Sequence, residues 1–254
     1  MTARAAIAAG CLGAMTLLAS PDARAEQLIA SMSNHRVTIT PNYTGEELVL
    51  FGSIERDART PANRSYDLVV TVSGPSATVV TWRKDRLLGV WINRESRVFD
   101  NVPSYLAVFA NRPLTVIANA ETLRRQRIGI ANVPALQAQE AADDPFRAAF
   151  LRLKGERGLY RESANSVTFL TPTLFRTSIP LPADVPVGTY TVDIKAFAGG
   201  GVVTRAETAI EIVKIGFEQF VAEAARQHGA AYGLITTLFA LMTGWFASVV
   251  FRRD

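Results

Sequence analysis

Leu181-Pro-Ala-Asp-Val-Pro-Val-Gly188-Thr-Tyr190-Thr-Val-Asp-Ile194 is the stretch that decides the fold. Two prolines and a glycine make a corner, and the residues after it alternate polar and apolar, as a half-buried strand does. Tyr190 stands two places beyond the glycine at the head of that strand. This is the setting of a tyrosine corner, in which the phenol bonds backbone a few residues upstream. Gly199-Gly-Gly201 then turns the chain into Val202–Val213. The segment reads as the last hairpin of an immunoglobulin-like sandwich, and Tyr190 is assigned to structure.

The same pattern recurs upstream. His35-Arg-Val-Thr-Ile-Thr and Glu47-Leu-Val-Leu-Phe-Gly-Ser-Ile read as two strands separated by the turn Pro41–Gly45. Tyr66–Val72 and Ala77–Trp82 follow, then the shorter Val90–Ile92, Arg97–Phe99 and Tyr105–Phe109, and later Ser166–Leu170. Strands at such intervals, with turn residues between them, predict a mainly β chain folded as an antiparallel sandwich. Trp82, Trp91, Phe99, Tyr105 and Phe109 are expected in its core. Between about 114 and 162 the β-branched runs give way to Ala, Leu, Arg, Gln and Glu, which predicts a helical insertion over an end or edge of the sandwich. One short helix is expected from Asn119 or Glu121 through Arg127. A second starts at Asp144, a suitable N-cap, with Pro145 at the first helical position.

The two ends of the chain set its expected location. Arg4, the uncharged run Ala5–Ser20 and Ala23-Arg-Ala25 have the features of a cleavable secretory signal over residues 1–25. Gly229–Phe251 holds 23 residues without a charge. As a helix it reaches about 34 Å, enough to cross a bilayer core. Arg252-Arg253-Asp254 then stays in the cytoplasm by the positive-inside tendency. Residues 26–213 become a periplasmic domain, and 214–228, with Phe217, Phe220 and Val221 at helical spacing, an amphipathic juxtamembrane helix. The expected location is a bacterial inner membrane. Cys11, the one cysteine, lies inside the signal, so the exported domain must rely on an ordinary core. The 23 arginines against 4 lysines suggest a GC-rich bacterial genome. The sequons at Asn42 and Asn63 are then chance matches.

Chemistry is sparse. The net charge of +4 is small, and nucleic acid is not an expected partner. Arg83, Lys84, Arg86, Arg94 and Arg97 form a candidate anion patch, although their alternation with apolar residues also suits a solvated sheet face. The histidines, His35 and His228, have no acidic or thiol partner at a metal-ligand spacing. There is no Gly-x-Ser-x-Gly and no phosphate-cradling glycine loop, so no catalytic, metal or cofactor residue is assigned. Glu46-Glu47 and Asp143-Asp144 suit turn and cap positions. On the last helix Gly229, Gly233, Thr237, Ala240, Gly244 and Ser248 fall along one face. Small residues there would let a second helix approach closely.

Ser33-Asn-His-Arg-Val-Thr-Ile, Thr44-Gly-Glu-Glu-Leu-Val-Leu-Phe-Gly52, Ala110-Asn-Arg-Pro-Leu114 and Leu123-Arg-Arg-Gln-Arg-Ile-Gly are followed by the corner and a C-terminal apolar run. Together they resemble the Alph_Pro_TM family of alphaproteobacterial single-pass proteins. The resemblance covers nearly the whole exported chain and implies location and length but no activity. The expected function is a non-catalytic accessory or adaptor subunit held in the bilayer beside an integral membrane partner such as a transporter, or paired as a homodimer. A tethered module that binds an anion or a polysaccharide is the alternative. A hydrolase with a site built from scattered residues ranks last.

Overall fold

The computed structural model describes residues 26–57, 60–61, 64–87, 89–133, 136, 144–216, 225–226 and 229–250, without the side chains of Ala231 and Val249. The expected signal, Asn63, Asp143, His228, most of the juxtamembrane segment and the tail from Phe251 onward lie outside these residues.

Two sheets share one core. The first holds β1 (Gln27–Met32), β3 (Glu46–Glu55), β10 (Leu174–Leu181) and β9 (Val167–Phe169), in the order β1-β3-β10-β9 and antiparallel throughout. The second holds β2 (Arg36–Ile39), β12 (Gly201–Lys214), β11 (Gly188–Ala198), β4 (Asp67–Ser73), β7 (Leu106–Ala110) and β8 (Tyr160–Ser163), in that spatial order. Both of its edges pair in parallel, β2 on β12 and β8 on β7. The fully antiparallel sandwich expected from sequence is therefore corrected to a mixed arrangement.

Alternation builds the core. Leu48, Leu50 and Ile54 of β3, Phe175, Ile179 and Leu181 of β10, and Tyr190, Val192 and Ile194 of β11 all point between the sheets. Gly52 continues the inward row because a Cβ there would lie 2.4 Å from the Ile29 carbonyl and 2.6 Å from the Phe175 ring. β7 is buried at all five positions, so it is covered on both faces. Its second cover is a smaller cluster in which Val69, Val108 and Phe197 meet Ile117, Leu123 and Ile128. These last three come from α1 (Leu114–Ile117), α2 (Ala120–Arg125) and the turn after them. Asn119 caps α2 by accepting from the Thr122 N–H at 2.8 Å. The insertion thus lies partly on the outer face of the six-stranded sheet, where the sequence reading expected an end or edge.

α3 (Pro145–Glu156) begins as expected, with Asp144 accepting the Phe146 N–H at 3.0 Å. Its Phe150 stacks on Phe99 at 4.8 Å and meets Tyr160 edge-on at 5.6 Å. Phe99 belongs to the long hairpin of β5 (Ser76–Leu87) and β6 (Val90–Pro103), where the sequence reading had separate short strands. Phe99, Tyr105 and Phe109 are core residues as expected. Trp82 and Trp91 are not, because their part of the hairpin has no second layer over it. The last helix, α4 (Gly229–Val250), has 22 residues.

Candidate functional site

The chain enters β11 through its corner as the sequence reading expected. The Tyr190 hydroxyl donates to the Pro186 carbonyl at 2.6 Å. Gly188, at φ 138°, leaves room where a Cβ would sit 2.8 Å from Pro75. Tyr105 and Tyr160 donate to the carbonyls of Pro180 and Pro103 at 2.9 and 2.7 Å. Burial pushes all three phenols far above their ordinary range. Each is committed to a backbone carbonyl.

The strand registers place the corner, the end of β4, the start of β7 and the end of β12 at one end of the sandwich. Ser73 pairs with Thr191 and Leu106, while Gly188 pairs with Ile212. The β5–β6 hairpin leaves from this end, and so does the chain on its way to α4. A groove of about 700 Å³ lies here, lined by Arg36, Val187, Thr189, Glu211 and Lys214 among others. Arg36 and Glu211 pair across it at 3.6 Å.

Cross-strand pairing sorts the hairpin into two faces. One carries Val80 opposite Val98, Trp82 opposite Ser96, Lys84 opposite Asn93 and Arg86 opposite Trp91. Trp82 is 54% exposed and Trp91 65%; the carboxylate on this face, Asp100, lies toward its base, where it accepts from the Thr78 hydroxyl at 2.9 Å. The other face carries the ion pair Arg83–Glu95 at 3.1 Å and, toward the tip, Asp85, which pairs with Arg94 at 3.0 Å. Hydrogen bonds from the Arg94 guanidinium and the Arg86 N–H hold the Asp85 carboxyl below the usual carboxylate range. Arg97 lies 3.6 Å from Asp144 at the start of α3. The five residues of the candidate anion patch are therefore not one field of charge. Arg83, Arg94 and Arg97 are answered by carboxylates; Lys84 and Arg86 make no ion pair among the described residues.

Lys154 is the one half-buried amine near this end. It donates to the Ser104 carbonyl at 3.1 Å and lies 5.9 and 5.6 Å from the centres of the Phe150 and Tyr160 rings. Burial and then the Arg157 charge lower its pKa. It ties α3 to the base of the hairpin. His35 is exposed, and no group of three His, Cys, Asp or Glu gathers among the described residues.

On α4 the residues Gly229, Gly233, Thr237, Ala240, Gly244 and Ser248 are all exposed, as are Leu234, Phe239, Leu241, Met242, Trp245 and Phe246. The Thr237 and Thr243 hydroxyls donate back to the carbonyls of Gly233 and Phe239 at 2.7 and 2.8 Å, so the helix meets their hydrogen-bonding needs itself.

Residues 27–253 match the family described as "Putative transmembrane protein (Alph_Pro_TM)". The chain belongs to this family. The Alph_Pro_TM description suggests a membrane protein, yet among the described residues no helix is long and apolar enough to cross a membrane. The described side chains of α4 run unbroken only from Tyr232 to Ser248, about 25 Å of helix. No curated protein matches the sequence. Among solved structures, the sporulation control protein Spo0M from Bacillus subtilis is 10% identical with a TM-score of 0.27, over 80% of this chain and 55% of that one. BslA, a bacterial hydrophobin, is 14% identical with a TM-score of 0.24, over 76% of this chain and 96% of that one. This Alph_Pro_TM chain thus spans little more than half of Spo0M.

Proposed function

We propose that the protein is a non-catalytic accessory subunit, held in a bacterial inner membrane by a single helix and displaying an immunoglobulin-like domain beside a membrane partner. The observation that carries the reading is α4. Its 22 residues include no charge, and its large apolar side chains are exposed. Ala231 and Val249, whose side chains are not described, are themselves apolar. A helix that is hydrophobic all round belongs in lipid or in a large core, and this sandwich offers it no core. The topology fits a sandwich domain outside the cytoplasm, Arg252 and Arg253 inside, and a small-residue face that docks a second helix.

The immunoglobulin-like assignment is supported by strand order. β1-β3-β10-β9 corresponds to A-B-E-D and β12-β11-β4 to G-F-C, with the tyrosine corner at the head of F. The non-catalytic assignment is supported by how the polar groups are used: the buried phenols, Lys154 and Asp144 each hold backbone in place.

The test is affinity purification of the tagged full chain from native membranes in mild detergent, with mass spectrometry of what accompanies it. A stoichiometric integral membrane protein is expected, and Gly233→Leu with Gly244→Leu should release it while the sandwich stays folded. Unchanged co-purification of that partner with the double variant would rule out docking through this face.

A further inference from the structure

The hairpin face that carries Trp82, Lys84, Arg86 and Trp91 is a second membrane contact, we propose, seating the tip of β5–β6 on an anionic lipid surface. This rests on the tethered reading only for the nearness of a bilayer. The face combines indole rings with two cations that have no ion pair among the described residues, the Asp85 between them being paired with Arg94 on the other face. Tryptophan favours the headgroup level, where its ring is half in hydrocarbon and half in water, and lysine and arginine are drawn to anionic headgroups. At the tip Leu87, Val90 and Ile92, on the opposite face with Asp85, are exposed as well, at 57%, 63% and 37%. This much exposed apolar surface on one hairpin marks a contact site.

Placement supports the same occupant. The hairpin leaves the sandwich from the end where β12 finishes. Twelve residues, 217–228, separate the last described residue of that segment from α4, save for the described pair 225–226. From Lys214 at the end of β12 to Gly229 the chain spans at most about 54 Å in any conformation, so a bilayer holding α4 lies within that distance of the sandwich end. Each hairpin arm is 12 to 14 residues long, about 40 Å in extended form. The length of the hairpin is thus of the same scale as the greatest distance to the lipid surface.

The experiment uses the full chain with Trp245→Phe, in which Trp82 and Trp91 are the only tryptophans left. It is reconstituted in vesicles of phosphatidylcholine alone or mixed with phosphatidylglycerol, each with bromine-labelled acyl chains as quencher. Quenching at least about twofold stronger in the anionic vesicles is expected, and Lys84→Glu with Arg86→Glu should abolish the difference. Quenching absent in both, or equal in both, overturns the proposal. So does shielding of the indoles from acrylamide without lipid quenching, which would assign the face to a protein partner or a second copy. Carbonate extraction of the same vesicles, scored separately, reads the tether. A chain that stays inserted with unquenched hairpin tryptophans sinks this inference and leaves the tethered reading standing. A chain that is extracted but still quenched does the reverse.

Discussion

Asp67, at the head of β4, is where one side chain ties together segments far apart in sequence. Its carboxylate accepts from Arg112, with Nε at 2.7 Å, and from Asn111 Nδ2 at 2.9 Å, while Asn111 in turn accepts the Leu68 N–H. Burial works against the charge, but the donors outweigh it and hold the pKa below the usual carboxylate range. A depressed folded pKa gives stability that is present above the unfolded value and lost as pH falls through the folded one. Asp67→Asn should therefore cost about 1–2 kcal/mol at pH 7, with the gap to the parent closing as pH drops below about 4. Urea melts at the two pH values check this, and equal stability at pH 7 would refute it. The sequence reveals none of this pairing, because the partners are 45 residues apart. It does reveal Tyr190 and Asp144, whose roles are local. Trp82 and Trp91 mislead because an aromatic, β-branched run reads the same whether or not a second layer covers it.

At the scale of elements, α1 and α2 form a lid whose own small core is separate from the main one. Ile128 is fully buried there, and Lys195 of β11 donates to the Gln126 carbonyl at 3.0 Å while pairing with Asp193 at 2.8 Å. Ile128→Ala should remove about 2–4 kcal/mol of packing from this lid. Amide exchange should then quicken at Ile117 and Leu123 well before it does in β3 and β10. A uniform change across all four would show that the lid and the sandwich open together. The expected strands β2, β3, β4, β7, β9, β11 and β12 are readable from alternation and turns. β1 is not, since it follows directly on the small residues of the apparent signal. β8 is not, being four residues paired in parallel at the close of an Ala- and Arg-rich stretch. β10 carries Pro180 next to its last residue, and a proline argues against a strand between two others, yet β10 lies between β3 and β9.

At the scale of the whole molecule, the mainly β body and the apolar terminal helix both follow from composition and period. How the hairpin and the lid are hung on the body does not, because those contacts join faces that no local pattern marks. The full chain should remain with membranes after carbonate washing, whereas a chain ending at Gly216 should appear in the soluble fraction; release of both would contradict insertion of α4. A last consequence is mechanical. β12 is clamped on one side by β11 and on the other by β2, which runs parallel to it over Glu211–Lys214. Tension arriving from beyond Lys214 acts along these ladders, so their hydrogen bonds share the load in shear instead of opening one at a time like a zip. The four residues of β2 thus work as a strain relief where the cable enters the housing.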